Sequence, residues 1–145
     1  MKASLKWNSD MEFTTDNRGI TNIIDATPEH GGSNKGPGPK ELVLNAMMGC
    51  SAMDVIATLK KMRIRPNGFS MNVDAEKSED YPIHFKKALL TFNFTGDIDP
   101  EKITKAIDLS LTKYCGVNYM ISKTCDIKFK VILNHKEIHQ GKAFS

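Results

Sequence analysis

The residues of this sequence best suited to chemistry are three cysteines, Cys50, Cys115 and Cys125. A cysteine thiolate is a nucleophile and a redox-active group, whereas a buried thiol is a small, inert apolar side chain. Cys125 falls on the apolar face of a predicted strand, so we interpret it as a core residue. Cys50 lies mid-helix and Cys115 near a helix end. Their positions alone do not decide whether each is a structural thiol or a nucleophile.

The cysteine spacing does not resemble a metal site. Positions 50, 115 and 125 contain no closely spaced pair of ligands. The histidines, His30, His84, His135 and His139, form no pattern with them. We therefore expect neither a metal nor another cofactor.

Two acidic residues accompany Cys50 on the same predicted helix. Asp54 follows Cys50 by four residues and shares its helix face, where a carboxylate among apolar side chains needs a partner such as a lysine of another element. Glu41 lies in the first turn, where an acid caps the helix and complements its dipole. Nine residues separate Glu41 from Cys50, so they lie on opposite faces and could meet only in a site assembled between elements or subunits.

Alternating apolar residues predict the strands that position these groups. Lys2–Trp7, Met11–Thr15 and Ile20–Ile24 read as three short strands, with Asn17-Arg18-Gly19 as a turn, and a loop rich in glycine and proline follows from residue 26 to 38. Further strands are predicted at 69–75, 83–94 and 125–133, with a bulge near Lys86, and a polar tail from Asn134.

Two longer helices complete the order. One runs from Pro39 to about Met62, and the other opens at Asp99-Pro100, continues to about Cys115, and carries an inner stripe of Ile103, Ala106, Ile107, Ser110, Leu111 and Tyr114. A short further helical turn is predicted at 117–121. The order βββ-α-ββ-α-(α)-β is that of an α+β domain.

The first helix is apolar on almost every side, which is typical of a buried helix. In a chain of 145 residues this indicates that a second chain supplies part of its cover. Its methionines, together with Met120, could alternatively line an apolar pocket at such an interface; they are Met47, Met48 and Met53.

Length and composition predict one domain over residues 1–145 and exclude several functional classes. The net charge of +3 comes from scattered residues, so we expect no nucleic-acid binding. The N-terminus lacks an apolar signal core, and the apolar run Leu42–Met53 is too short to span a bilayer. We therefore expect a soluble cytoplasmic protein with reduced thiols and no membrane partner.

Two motifs resemble the OsmC/Ohr family. The segment at residues 36–54, GPGPKELVLNAMMGCSAMD, is similar to the signature of its central helix, and KYCGV at 113–117 is similar to its second cysteine motif. The predicted element order also matches, so the resemblance covers nearly the whole chain.

The resemblance implies an intertwined homodimer whose long central helices are wrapped by antiparallel sheets. It also implies a peroxidase, in which Cys50 reduces an organic hydroperoxide and becomes a sulfenic acid, and Cys115 resolves it to a disulfide that an external dithiol reduces. Glu41 and Asp54 are the supporting candidates. Such a protein would serve in the oxidative and osmotic stress response.

The chain departs from the family at two positions. Where the family has a glutamate, ten residues before the first cysteine, this chain has Lys40, with Glu41 one place later. The only N-terminal arginine, Arg18, falls in a predicted turn and not at a position that matches the family's arginine. In these departures the chain resembles a divergent branch of the family that lacks the arginine. They leave open a rival function, that of a dimer without peroxidase activity that binds a small apolar molecule at its methionine-rich interface.

Overall fold

A computed structural model describes every residue from Met1 to Ser145. The strands are β1 (Ser4–Ser9), β2 (Glu12–Asn17), β3 (Ile20–Ile24), β4 (Gly68–Lys77), β5 (Phe85–Thr95), β6 (Asp126–Leu133) and β7 (Lys136–Lys142). The helices are α1 (Pro39–Lys61), α2 (Pro100–Leu109) and α3 (Gly116–Ile121), with a short 3-10 turn at Pro28–His30. The α+β class is confirmed, and the predicted order holds up to β6. The strand β7 was missed because it is a polar edge strand without clear alternation.

The chain forms two compact units, Met1–Asn45 and Ala46–Ser145. In the first unit β1, β2 and β3 form an antiparallel meander in that order. The turn between β2 and β3 is Arg18-Gly19, where both residues have positive φ, 61° and 82°. This confirms the predicted turn and places Arg18 at its tip. The single domain over 1–145 stays a prediction.

The first unit has almost no core of its own. Asp25 is its one fully buried residue, and its carboxylate accepts hydrogen bonds from the backbone N–H groups of Ser33 and Lys35, which folds the loop before α1. The apolar side chains of Leu5, Trp7 and Ile20 are exposed, Trp7 by 62%. A three-stranded sheet is stable only when one of its faces packs against other residues. We therefore expect this exposed apolar surface to be buried against another surface.

The sheet of the second unit has the order β4-β5-β6-β7. Two of its three strand pairs, β4–β5 and β6–β7, are antiparallel, but β5 and β6 are parallel. The expectation of antiparallel sheets is therefore wrong for this one pair of strands. The physical reason is the connection: α2 and α3 lie between β5 and β6 and carry the chain back to the end of the sheet from which β5 started.

The core of the second unit follows the predicted alternation. Leu90, Phe92 and Phe94 of β5 are buried, as are the alternate residues of β6, Ile127, Phe129, Val131 and Leu133. The predicted bulge is present, because Glu76 pairs with Lys87 while the adjacent Lys77 pairs with Phe85, which leaves Lys86 unpaired. The bulge shifts the pairing of β5 with β4 by one residue, so side chains beyond the bulge again alternate towards the core.

Helix α2 begins as the sequence predicts, with the Asp99 carboxylate accepting from the backbone N–H of Glu101 over 2.9 Å. Five residues of its predicted inner stripe are buried: Ile103, Ala106, Ile107, Ser110 and Leu111. The prediction that the sixth residue, Tyr114, is buried is wrong, since Tyr114 is 51% exposed. After Leu109 the helix widens into a π-helical turn over Ser110–Tyr114, so the i to i+4 spacing that predicted Tyr114 no longer applies there.

Helix α1 is buried along one stripe only, formed by Met47, Ser51, Val55 and Leu59. Its length and hydropathy would suffice to cross a membrane, and 22% of its most apolar stretch is buried within one chain. The opposite side is apolar but open to solvent, with Met53 77% exposed. The side of this helix that carries Met53 and Ile56 is therefore uncovered within a single chain.

Candidate functional site

Cys50 occupies the border between the buried stripe of α1 and its open side. It is half-buried, while the next residue, Ser51, is fully buried. The sequence folds this way because residues four apart, Met47, Ser51 and Val55, form the inward stripe, and Cys50 precedes Ser51 by one helical step. A small molecule in solvent can therefore reach the Cys50 sulfur.

Cys115 is fully buried at the junction between the π-helical turn and α3. Its extended backbone ends the turn, and its Sγ accepts a hydrogen bond from the backbone N–H of Asn118 over 3.4 Å, so it serves as the N-cap of α3. Gly116 is the first residue of α3. The thiol is thus fixed in place by the local backbone.

The fold brings Cys50 and Cys115 together across 65 residues of sequence. Both are free thiols, and their sulfurs and a carboxylate oxygen of Asp54 all lie within 4.8 Å of one another. We call Cys50, Asp54 and Cys115 the thiol cluster. The sequence argument against a metal site rested on spacing along the chain, and three groups able to ligate a metal nevertheless meet in space.

Burial raises the pKa of the Cys115 thiol from its ordinary value of 9.0 to about 11. A hydrogen bond to Cys50 is the second cause of this rise in pKa, because the Cys115 thiol can donate it only while protonated. Hydrogen bonds from the Asn118 backbone and the Ser51 side chain act in the opposite direction but are outweighed. At neutral pH Cys115 is a protonated thiol that donates towards the Cys50 sulfur.

Asp54 is held by a hydroxyl group rather than by a lysine. Its Oδ2 accepts a hydrogen bond from Ser110 Oγ over 3.2 Å, and Ser110 is buried in the π-helical turn. None of the ion pairs within the chain involves Asp54. The expected lysine partner is thus replaced by Ser110, which links α1 to the segment that carries Cys115.

Asn118 is a site residue that the sequence analysis missed. It is fully buried, and its Nδ2 donates to Met47 O over 3.1 Å and to Ser51 Oγ over 2.8 Å. The bond to a carbonyl fixes the orientation of the amide, since a carbonyl oxygen can only accept. Its Oδ1 is buried without a partner. The one available signal was an asparagine three residues after Cys115 in an otherwise apolar segment.

Glu41 acts at the start of α1. Its Oε2 accepts a hydrogen bond from the backbone N–H of Gly38 over 2.7 Å, which is the geometry of a helix N-terminal cap. This is the capping role that the sequence offered as the alternative to a role in the site. The neighbouring Lys40 forms no ion pair within the chain.

The remaining candidates are not members of the thiol cluster. Cys125 is buried, as its predicted core position requires. Met47 is completely buried, whereas Met53 and Met120 are 77% and 65% exposed, so these methionines do not line one pocket within a single chain. His139 pairs with Asp108 over 2.9 Å.

The sequence pattern of the family described as OsmC-like protein matches residues 32–130, which is more than half of the chain. Protein YhfA of Escherichia coli K12 is 33% identical over 128 residues, which cover 88% of this chain and 93% of that protein.

Solved structures share the fold. An OsmC-like protein from Mycoplasma pneumoniae superposes with a TM-score of 0.78 at 20% identity, covering 91% of this chain and 95% of the other. An organic hydroperoxide resistance protein OsmC from Legionella pneumophila superposes with a TM-score of 0.68 at 16% identity, covering 90% and 95%. At these identities the two structures show a common fold and no more.

Proposed function

The chain belongs to the OsmC-like protein family, and on that premise we propose that it is a thiol peroxidase that reduces organic hydroperoxides through Cys50 and Cys115. The observation that carries this proposal is the approach of the two sulfurs to within 4.8 Å while both thiols are free. A relative with this fold, from Legionella pneumophila, is described as an organic hydroperoxide resistance protein.

Burial assigns the two roles in this proposal. A hydroperoxide from solvent meets the half-buried Cys50 first, because Cys115 has no exposed surface. The raised pKa of Cys115 also keeps that thiol protonated at neutral pH, and a protonated thiol is a poor nucleophile. Cys50 is therefore the peroxidatic cysteine, and Cys115 is the resolving one.

The first step breaks the O–O bond. The Cys50 thiol gives its proton to Asp54, the carboxylate in reach, and the resulting thiolate attacks the terminal oxygen of the hydroperoxide. A sulfur–oxygen bond forms, Cys50 becomes a sulfenic acid, and the alkoxide leaves as an alcohol after it takes the proton from Asp54. The protonated Cys115 thiol, which hydrogen-bonds to Cys50, stabilises the negative sulfur in place of the cation found elsewhere in the family.

The second step forms a disulfide. The Cys115 sulfur attacks the Cys50 sulfur, the S–O bond breaks, and the Cys115 proton leaves with the hydroxide as water. An external dithiol then reduces the disulfide by exchange and restores both thiols. A cytoplasmic location suits this cycle, because it keeps such a reductant available.

The proposed working unit is a homodimer. The open side of α1, with Met53 and Ile56 exposed, is an apolar surface that a second copy would bury. Lys40 and Glu41 would enter the site only from such a partner copy. The dimer thus follows from the same helix that carries Cys50.

The exposed Met53 and Met120 favour one rival function, in which the dimer binds a small apolar molecule without turning over peroxide. Both hypotheses are tested by one experiment: single-turnover consumption of cumene hydroperoxide by the fully reduced protein, with thiol counting. We expect the loss of one peroxide and two thiols per chain. Cys50→Ser abolishes the reaction, whereas Cys125→Ser, which removes a buried cysteine away from the site, leaves it unchanged. The peroxidase hypothesis would be contradicted if the protein consumed no peroxide, or if Cys50→Ser consumed it as fast as wild type. The binding function would then be the remaining hypothesis.

A further inference from the structure

We propose that the thiol cluster is also a binding site for one thiophilic divalent cation of the Zn²⁺ class, with Cys50, Asp54 and Cys115 as its protein ligands. The donor atoms, two sulfurs and one carboxylate oxygen, lie within 4.8 Å of one another. A set of two thiolates and one carboxylate binds Zn²⁺ in preference to Mg²⁺ or Ca²⁺.

The distances suit a tetrahedral ion. Zn–S bonds of about 2.3 Å at tetrahedral angles place two sulfurs about 3.8 Å apart. The present upper limit of 4.8 Å is about 1 Å wider, which side-chain rotation can close without moving the backbone. Three protein ligands leave the fourth position to water, which reaches the site from the half-buried side where Cys50 and Asp54 lie.

The backbone of each ligand is held by its own element, so only the side chains need to adjust when the ion binds. Cys50 and Asp54 lie one turn apart on α1, so their side chains leave the helix on the same face. Cys115 comes from the junction before α3. A site whose ligands are already in place loses little conformational freedom when the ion binds.

Two of the ligands already have the outer hydrogen bonds that metal ligands need. Ser110 Oγ donates to Asp54 Oδ2 over 3.2 Å, and the backbone N–H of Asn118 donates to Cys115 Sγ over 3.4 Å. Such bonds orient a ligating oxygen or sulfur and stabilise its charge. Neither bond blocks the cluster, since both come from Ser110 and Asn118, which lie outside it.

Charge also favours a cation here. None of the ion pairs within the chain brings a lysine, arginine or histidine to Asp54. A bound divalent ion would supply the missing positive charge and would displace one proton from each thiol into solvent. Because it occupies both sulfurs, the ion would compete with hydroperoxide for the reduced protein.

The test is a titration of the reduced protein with Cd²⁺ alone, followed by the ultraviolet charge-transfer band of thiolate–Cd²⁺ bonds, and with Co²⁺, followed by the visible bands of tetrahedral Co²⁺. We expect saturation at one ion per chain. Cys50→Ser and Cys115→Ser lose the band, Asp54→Asn weakens binding by about tenfold or more, and Ser110→Ala weakens it by about tenfold. Cys125→Ser, the matched control, binds as wild type does.

A second measurement needs no variant, so misfolding cannot obscure it. Stoichiometric Cd²⁺ protects Cys50 from alkylation by iodoacetamide, and a chelator restores the reaction. No saturable band, a band that survives in Cys115→Ser, or alkylation at an unchanged rate would overturn the proposal. These readouts involve no peroxide, so they succeed or fail independently of the peroxidase activity.

Discussion

The side-chain amide of Asn118 donates a 2.8 Å hydrogen bond to the hydroxyl oxygen of Ser51, in the interior of the second unit. Ser51 adjoins Cys50 on α1, and the backbone N–H of Asn118 donates to the sulfur of Cys115, the N-cap of α3. This single bond therefore ties the helix that carries one thiol to the helix that carries the other. We expect the distance between the two sulfurs to depend on this bond.

Replacement of Asn118 by alanine is expected to lower the free energy of unfolding by about 2 to 3 kcal/mol. The variant loses the bonds to Met47 O and Ser51 Oγ and leaves the buried Ser51 hydroxyl oxygen without the donor it has in wild type. It should also form the disulfide more slowly after peroxide treatment, because Cys115 is no longer held against Cys50. Urea unfolding and timed thiol trapping measure the two effects.

Asn72→Ala is the control for that variant. Asn72 accepts a hydrogen bond from Asn93 on an exposed sheet surface, so its loss should change stability by no more than about 0.5 kcal/mol. Equal effects of the two substitutions would contradict a positioning role for Asn118.

Cys115→Ser is expected to trap the reaction at its first intermediate. With no resolving thiol, one equivalent of cumene hydroperoxide leaves Cys50 as a sulfenic acid, which dimedone labels and mass spectrometry locates. Wild type should show little label and a Cys50–Cys115 disulfide instead. A disulfide that involves Cys125 would refute the assigned pair.

The buried Cys115 thiol makes stability depend on alkaline pH. Its pKa is about 11 in the folded chain and near 9.0 in the unfolded one, so between these values the unfolded chain has lost a proton that the folded chain keeps. The contribution is fully present below pH 9 and is lost as the pH rises through 11, by about 2 to 3 kcal/mol in all.

The measurement is urea unfolding at several pH values between 7 and 11, compared with Cys115→Ala. Lysines and tyrosines titrate in both proteins, so the difference between the two curves isolates Cys115. We expect this difference to shrink as the pH rises above about 9. Parallel curves would show that Cys115 is not a buried protonated thiol.

A charge on the open side of α1 is expected to break the proposed dimer. Met53 is 77% exposed in one chain, and Met53→Glu would bury an unpaired carboxylate at the interface, weakening association by about 3 kcal/mol or more. Sedimentation velocity should show the shift from dimer to monomer. Lys102→Glu, on an exposed face of α2, should sediment as wild type does. A wild-type protein that is monomeric at micromolar concentration would contradict the proposal.

The sequence alone determined the elements wherever local chemistry controls the backbone. Asp99-Pro100 starts a helix because its carboxylate caps the first free N–H, and the Asn17-Arg18-Gly19 turn forms because these residues can turn the chain between two strands. The alternation on β5 and β6 predicted their buried faces, since the side-chain period of a strand is fixed by its geometry. The two cysteine motifs identified the family for the same reason: they are local patterns.

Only the tertiary structure decided which groups meet. Ser110 and Asn118 become partners of Asp54 and Ser51 because the chain crosses over from β5 to β6 through α2 and α3, and sequence spacing does not encode that path. The π-helical turn, which moves Tyr114 to the surface and Cys115 inwards, depends on packing rather than on helix propensity. Local propensity is set within a few residues, whereas the thiol cluster is set by contacts that span the second unit.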